Sequence, residues 1–283
     1  MVGDLIRFNH ERACFIGRRI SMLKHVIEIL RHTDPQFKAV ESLISSRGVN
    51  EASILIIANS LISYQLSVKG EEYWVMFSHY FSDKGKSVGL NEFTSFMGLS
   101  GNTRLLDQKK RRLARFLSSS IVRELSDDGL KYCVDLLELN RQLSMLYGGD
   151  YSKTVVFAVK MYSYLCEASG VKPLTAGIKP PLDMRNALFL LSSCIVEGCG
   201  ADTECVGKIM SGRHRNEAVN ALLKVCECGG LNCIELDVFT WLVTGVLRDT
   251  GFNVYKSSRL IKERYGVEIP VDTLQEISLC VKS

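Results

Sequence analysis

The feature that most constrains this chain is a nearly unbroken succession of apolar residues at helical spacing. Apolar side chains recur three and four positions apart along most of the 283 residues, whereas the alternation typical of half-buried strands is scarce. Only five prolines occur, and Pro173, Pro180 and Pro181 fall in one stretch, so few helices are interrupted. The pattern therefore predicts an all-α fold.

The periodic segments are joined by short polar or glycine-containing links. Helices are predicted at residues 12–32, 35–47, 51–67, 71–83, 91–98, 105–118, 129–145, 153–168, 184–197, 214–227, 235–248 and 255–264. No repeat of fixed period is present, which argues against a solenoid. The longest irregular stretch, residues 169–183, divides the chain unequally, and loops of this length are more often functional than idle. We expect one domain of residues 1–283 with two helical lobes around a central cleft, the two chain ends sharing one lobe.

Composition and charge are those of a globular protein with enough apolar residues for a core. Hydrophobic residues make up 46% of the chain, and the formal net charge of +4 is too small to identify a nucleic-acid binder by itself. No apolar run approaches the ~20 residues needed to cross a bilayer, and residues 1–10 lack the apolar stretch of a signal peptide. We therefore expect a cytoplasmic protein with no membrane partner.

The ten cysteines are numerous for a chain of this length. Their spacings match neither paired zinc ligands nor an iron–sulfur run, so no metal site is predicted. Reduced thiols are the interpretation that a cytosolic location favours. The alternative is a set of disulfides, as found in some intracellular proteins of hot environments.

Basic residues are concentrated in two places. One cluster consists of Lys109, Lys110, Arg111, Arg112 and Arg115, and the other of Arg213, His214 and Arg215. The first cluster is interpreted either as a phosphate-binding helix or as a solvated helix face.

Two charged residues stand out because they lie in apolar helices. Lys160 shares a helix face with Phe157 and Lys153 and has valines beside it, so it either extends to solvent or lies in a polar pocket. Asp237 shares a face with Trp241, and either favours the helix N-terminus or forms a site for a flat ligand with the indole. The other tryptophan, Trp74, is by itself most simply a core residue.

Lys153 opens a predicted helix directly after the segment LYGGDYS, which joins it to the preceding helix. The helix dipole disfavours a further positive charge there and so favours the neutral amine, which is the nucleophilic form, although a surface lysine also occurs at such a position by chance. Residues 129–168 thus form a helix-hairpin-helix pattern. Its glycines, Gly148 and Gly149, allow successive backbone N–H groups to hold a DNA phosphate.

A hairpin, a lysine at its exit and Asp183 after a proline-rich loop resemble the helix-hairpin-helix DNA glycosylases. Within that superfamily the chain resembles the archaeal GO glycosylases, which remove 8-oxoguanine. The resemblance spans about residues 22–250 and is carried by the strings DPQFKAV (34–40), ISYQLSVKGEEYW (62–74), RQLSMLYGGDYSKTVVFAVK (141–160), PPLDMR (180–185) and LDVFTW (236–241). The hairpin departs from the Leu-Pro-Gly opening common in the superfamily, because it has Leu-Tyr-Gly instead.

The resemblance implies a helix-hairpin-helix glycosylase fold and an enzyme that is both an 8-oxoguanine glycosylase and a β-eliminating lyase. It implies that Lys153 is the Schiff-base lysine and Asp183 the catalytic aspartate. It further implies that the flipped base lies between Phe157 and Trp241. The groups that contact the base edge are then Gln36, Trp74, Lys160 and Asp237.

This chemistry needs no metal and no cofactor. The expected partner is damaged DNA containing 8-oxoguanine, with no obligatory protein partner, and the protein is expected to act as a monomer. The alternatives are a glycosylase of the same superfamily for another damaged base, a non-catalytic helix-hairpin-helix DNA-binding protein, and a helical scaffold for partner proteins. A non-catalytic DNA-binding protein has no need of the lysine, the aspartate and the paired aromatic residues, and a scaffold leaves Lys160 and Asp237 unexplained.

Overall fold

The computed structural model describes residues 6–147, 152–212 and 214–281. Within these ranges the regular secondary structure is helical apart from one antiparallel pair of two-residue strands, β1 (Arg7–Phe8) and β2 (Val196–Glu197), which confirms the predicted all-α fold. The α-helices are α1 (His10–Ser21), α2 (Lys24–Thr33), α3 (Pro35–Arg47), α4 (Val49–Ile62), α5 (Gly70–Ser82), α6 (Leu90–Leu99), α7 (Leu106–Leu117), α8 (Ser120–Asp127), α9 (Leu136–Tyr147), α10 (Lys153–Ala168), α11 (Met184–Ser192), α12 (Thr203–Ile209), α13 (His214–Gly229), α14 (Cys233–Phe239), α15 (Gly245–Asp249), α16 (Val254–Tyr265) and α17 (Val271–Ile277). A 3₁₀ turn covers Lys131–Val134, and a π-helix covers Thr240–Thr244 between α14 and α15.

The described chain divides into two compact units. The central unit is Asp34–Ile178, and the terminal unit contains the described residues up to Thr33 together with those from Lys179 onward. In the central unit α4 is buried on every side from Ala52 to Ile62 and packs against α3, α7, α8 and α10. A helix that is apolar all round requires such enclosure, so α4 is the core element against which α10 is fixed.

In the terminal unit α1 and α13 pack with their backbones in close contact. A Cβ atom added to Gly17 would lie 2.3 Å from the carbonyl oxygen of Val225, and one added to Gly229 would lie 2.5 Å from that of Gly17. Only glycine fits at these two crossing points. Helix α17 is attached to the same α1 by an ion pair between Arg12 and Glu276, with 2.7 Å between Nη1 and Oε2.

Several predicted helices differ from the observed ones for local reasons. The helix predicted at 129–145 begins only at Leu136, because Asp135 accepts a hydrogen bond from the backbone N–H of Glu138 in the manner of an N-cap. The helix predicted at 184–197 ends at Ser192, since Cys194 has a left-handed φ of 60°. Helix α10 has the bounds that the sequence predicts, 153–168.

The expectation of reduced thiols is wrong for eight of the ten cysteines. The structure pairs them as Cys14–Cys228, Cys133–Cys166, Cys194–Cys280 and Cys199–Cys205. The remaining two, Cys226 and Cys233, are buried free thiols. Three of the four bridges join cysteines that are 33 to 214 residues apart, so spacing along the chain gives no sign of the pairing.

No single helix among the described residues has the length and apolar character needed to span a membrane. One bent pair, His214–Gly229 with Cys233–Asp249, meets both criteria together, and its two parts meet at 102°.

Candidate active site

The predicted nucleophile, Lys153, is the exposed first residue of α10. Ser152 precedes it with an extended backbone, and its carbonyl oxygen accepts the first N–H groups of the helix, those of Val155 and Val156. No acidic residue occurs in the first turn. The amine is therefore presented to solvent at the positive end of the helix dipole. The proposed DNA-backbone residues Gly148 and Gly149 lie outside the described residues.

Arg112, on α7, contacts both helices that flank the hairpin. Its Nη2 donates to Thr154 Oγ1 at 2.7 Å, and its guanidinium lies 4.1 Å from the ring centroid of Tyr147, the last residue of α9. The Tyr147 hydroxyl donates back to the carbonyl oxygen of Arg112 at 2.9 Å. One arginine thus fixes the end of α9 relative to the start of α10, and so the backbone that carries Lys153.

Within the central unit a buried polar cluster surrounds Lys160, which is only 1% exposed. Asp34, fully buried at the N-cap of α3, accepts hydrogen bonds from the backbone N–H of Gln36 at 2.8 Å and from the hydroxyl of Tyr164 at 3.0 Å. The Lys160 ammonium lies 5.5 Å from the ring centroid of Tyr164. Burial raises the pKa of the Asp34 carboxyl above its usual range, and the charge of Lys160 opposes that rise. Lys160 therefore lies in a polar pocket, and the interpretation that it extends to solvent is wrong.

Two aromatic rings and one unusual amide are further predicted site residues of this unit. Trp74 is buried and meets Phe157 edge-on, with ring centroids 6.1 Å apart. Gln36 is 1% exposed, and its side-chain oxygen Oε1 is buried without a hydrogen-bond donor among the described residues. A buried acceptor without a hydrogen bond lowers the stability of the folded protein by about 1–3 kcal/mol. The arrangement is suited to a ligand that brings a donor of its own.

Within the terminal unit Asp183 caps the N-terminus of α11. Its Oδ1 accepts hydrogen bonds from the backbone N–H groups of Arg185 and Asn186, both at 2.9 Å. Among the described residues these are the only hydrogen bonds that the carboxylate accepts, so Oδ2 is available to a ligand. Asp183 is only 7% exposed, and the atoms packed around it hold the carboxylate in one orientation.

Asn186, on the helix α11 that Asp183 caps, bonds to Asp237, the second charged residue that the sequence places in an apolar helix. Its Nδ2 donates to the carbonyl oxygen of Pro181 and to Asp237 Oδ1, both at 2.8 Å. Its Oδ1 accepts from the hydroxyl of Thr240 at 2.5 Å. Asp237 is 2% exposed, far too buried for an aspartate that only favours a helix N-terminus.

Trp241 is partly exposed and lies in the π-helix that follows α14. The guanidinium of Arg185 lies 3.7 Å from its ring centroid, and Arg185 Nη1 donates to the carbonyl oxygen of Trp241 at 2.6 Å. Arg185 thus contacts one face of the indole and is hydrogen-bonded to the backbone of the same residue.

Each unit thus brings together the site residues that the sequence predicts within it. Gln36, Trp74, Phe157 and Lys160 gather in the central unit, and Asp183, Asp237 and Trp241 in the terminal unit. Sequence reasoning missed the roles of Asp34, Arg112, Arg185 and Asn186. Asp34 and Arg185 do stand inside two of the strings that carry the family resemblance, which was the available signal.

Comparison with known proteins gives a consistent family. Residues 18–276 match the family AGOG, described as N-glycosylase/DNA lyase. An N-glycosylase/DNA lyase of Pyrobaculum aerophilum is 30% identical over 242 residues, which cover 78% of this chain and 86% of that protein. One of Methanopyrus kandleri is 36% identical over 168 residues, which cover 58% of this chain and 69% of that protein.

A solved structure shows the same fold. It is the crystal structure of Pa-AGOG, an 8-oxoguanine DNA glycosylase from Pyrobaculum aerophilum, complexed with 8-oxoguanosine. The two chains superpose with a TM-score of 0.65 at 24% identity, over 96% of this chain and 98% of that one.

Proposed function

Because the chain belongs to the AGOG family of N-glycosylase/DNA lyases, we propose that the base it removes from DNA is 8-oxoguanine and that Lys153 is its nucleophile. Its activity is that of a DNA repair glycosylase and lyase, and its substrate is therefore DNA. The proposal adds the identity of the base and the residues that act on it.

The observation that carries the choice of base is the buried Oε1 of Gln36, an acceptor without a donor among the described residues. 8-Oxoguanine differs from guanine in having an N–H group at N7 and a carbonyl at C8. The N7–H group supplies the donor that Gln36 lacks, whereas guanine has an acceptor at that position. Guanine would leave the amide oxygen unsatisfied, at a cost of about 1–3 kcal/mol. The ammonium of Lys160 provides a donor for a carbonyl oxygen on the same base.

The remaining predicted site residues are proposed to bind the flipped base by its two faces and by its edge. A base inside a duplex is out of reach, so it must be extruded before it reacts. Phe157 and Trp241 are proposed to stack on its two faces, at about 1–3 kcal/mol per face. Trp74 and Asp237 are proposed to contact its edge, with Asp237 held in place by Asn186.

In the proposed reaction the neutral amine of Lys153 attacks C1′ of the sugar as the glycosidic bond breaks, and the base leaves with the bonding electrons. Asp183 stabilises the positive charge that develops on the sugar through its Oδ2 and assists proton transfer. The nitrogen of Lys153, now bonded to C1′, loses a proton, and its lone pair expels the ring oxygen O4′, which takes up a proton as the C1′–O4′ bond breaks. C1′ and the nitrogen are then joined as an iminium ion, which makes the neighbouring C2′ proton acidic. Loss of that proton expels the 3′ phosphate, which is β-elimination.

The experiment that tests the choice of base is a release assay on matched duplexes containing 8-oxoguanine, guanine, an alkylated purine and a mismatched base. We expect 8-oxoguanine to be released fastest. Gln36→Leu should narrow the preference for 8-oxoguanine over guanine by about 5- to 150-fold, because it removes the unsatisfied acceptor. Gln275→Leu, at an exposed position on α17, is the matched control and should leave the preference unchanged.

Faster release of one of the other bases would contradict the proposed substrate. An unchanged ratio in Gln36→Leu would contradict the proposed role of the amide. Binding of every duplex without release of any base would instead favour a non-catalytic DNA-binding protein.

A further inference from the structure

The helix that carries Asp237 and Trp241 changes its winding between these two residues. Helix α14 ends at Phe239, the π-helix covers Thr240–Thr244, and α15 begins at Gly245. Wide turns of this kind are rare and occur frequently at functional sites. A π-turn rotates the side chains that follow it about the helix axis relative to those before it, so here it sets the direction of Trp241.

Arg185 is the residue that supports this turn. Its guanidinium carbon lies over the indole at 3.7 Å from the ring centroid, and its Nη1 donates to the backbone carbonyl oxygen of the same tryptophan at 2.6 Å. Gly245 makes room for it, since a Cβ atom there would lie 3.1 Å from Arg185 Nη1. A planar guanidinium can stack on an aromatic ring and donate hydrogen bonds in its own plane at the same time.

The backbone of Arg185 performs a separate task, because its N–H group donates to Asp183 Oδ1. The side chain therefore acts on Trp241 while the main chain acts on the catalytic carboxylate. A substitution of the side chain changes the first contact and keeps the second.

We propose that Arg185 is a positioning residue that sets the plane of Trp241 for stacking on the extruded base. An indole ring has two faces, and the guanidinium covers one of them, so the base stacks on the other. A ring held before the substrate arrives loses no rotational freedom on binding. This inference rests on the proposed function, in which Trp241 is one of the two stacking partners.

The test compares two reactions of the same enzyme. Arg185→Gln should slow single-turnover base release from an 8-oxoguanine duplex by about 10- to 100-fold, because the ring loses its stacked cation. It should change cleavage of a duplex with a preformed abasic site by less than about twofold, because that substrate has no base to stack. Arg185→Lys keeps the charge but cannot both stack and hydrogen-bond, so it should recover only part of the loss.

Arg248→Gln is the matched control, since Arg248 lies on the neighbouring α15 with 38% of its side chain exposed and pairs with Asp249. It should behave as the wild type on both substrates. A loss of equal size on both substrates in Arg185→Gln would show a merely structural role and overturn the inference, as would wild-type rates on both.

A different result would show that the proposed substrate, and not the role of Arg185, is wrong. If the wild type cleaves abasic sites but releases another base, 8-oxoguanine is the wrong substrate. The comparison for Arg185 is then made with the base that is released, and the same two outcomes decide it.

Discussion

At the scale of single residues, Asp183 has a structural task in capping α11, and we propose that the same side chain has a chemical task. Its Oδ1 caps α11 through two backbone N–H groups, and its Oδ2 is left for the sugar in the proposed reaction. The two tasks make different demands. A cap needs only an oxygen acceptor, whereas stabilising a developing cation needs a negative charge.

Two substitutions at Asp183 separate these tasks. Asn caps a helix as well as Asp does, so Asp183→Asn should keep the stability and the DNA affinity of the wild type but slow base release by about 10²- to 10⁴-fold. Asp183→Ala should be equally slow and also less stable by about 1 kcal/mol. Single-turnover rates, DNA binding and denaturant unfolding measure the three quantities. Normal turnover by Asp183→Asn would remove the aspartate from the mechanism.

Lys109 belongs to the basic cluster of the sequence, yet its side chain is fully buried and bonds to Asn102. Neither phosphate binding nor a solvated face therefore describes this lysine. Burial lowers the pKa of Lys109 to about 8. The unfolded chain, with the ordinary lysine pKa near 10.5, binds a proton that the folded protein has lost between these values, so this group makes stability rise as pH increases from about 8.

Lys109→Met should remove that rise. The free energies of unfolding of wild type and variant, measured in denaturant at pH 7.5, 8.5 and 9.5, should diverge in favour of the wild type as pH increases. Parallel pH profiles for the two proteins would show that Lys109 has the same affinity for protons in the folded and unfolded states.

The sequence singles out the charged residues Lys160 and Asp237, but it does not predict which residues from other helices surround them. Lys160 and Asp237 stand out because apolar residues surround each of them along its own helix. Tyr164 follows Lys160 by one turn of α10, but Asp34, which accepts a hydrogen bond from Tyr164, is 130 residues away from it, and Asn186 is 51 residues from Asp237. Helical periodicity describes the neighbours of a residue on its own helix, and it contains no information about contacts at these separations.

At the scale of elements, long helices with a clear apolar face were predictable and short or irregular ones were not. The predicted and observed bounds of helix α10 agree, and its start is marked in the sequence by Ser152 and a glycine-bearing turn. The short helices α8, α12 and α17 were missed, since seven or eight residues show barely two turns of periodicity. The π-helix at Thr240–Thr244 was predicted as ordinary helix, because its sequence differs little from that of an α-helix.

The packing of α1 on α13 gives a prediction at this scale. Gly17→Ala would place a methyl group 2.3 Å from the carbonyl oxygen of Val225, which is backbone and cannot move without the helix. We expect the free energy of unfolding to fall by about 1–3 kcal/mol.

Gly207→Ala, on α12, is the matched control. No atom lies within 4 Å of the added Cβ, so alanine should stabilise the helix by up to about 1 kcal/mol through its higher helix propensity. Denaturant unfolding of both variants measures the two effects. Equal stability of Gly17→Ala and the wild type would show that the two helices can separate at no cost.

At the scale of the whole molecule, three of the four disulfides connect distant parts of the chain that the sequence does not relate, and the fourth is local. The longest loop, closed by Cys14–Cys228, spans 214 residues, and the shortest, closed by Cys199–Cys205, spans six. A bridge stabilises the folded state by restricting the unfolded chain, and this effect grows with the logarithm of loop length.

Removing the two bridges should therefore have unequal effects. Serine at both Cys14 and Cys228 should reduce the free energy of unfolding by about 3 kcal/mol more than serine at both Cys199 and Cys205, from (3/2)RT ln of the ratio of loop lengths. Denaturant unfolding without reductant is the measurement. Equal losses of unfolding free energy in the two variants would show that the Cys14–Cys228 bridge restricts the unfolded chain no more than the Cys199–Cys205 bridge does.

The central claim is that Lys153 is the amine that attacks the sugar of an 8-oxoguanine nucleotide. Borohydride reduces an iminium ion to a stable amine, so it links the enzyme covalently to the DNA if the claim is correct. With a duplex containing 8-oxoguanine, the wild type and Lys172→Gln, an exposed lysine variant of the same unit, should form the adduct, and Lys153→Gln should form none. An adduct of undiminished yield with Lys153→Gln would show that another group is the nucleophile.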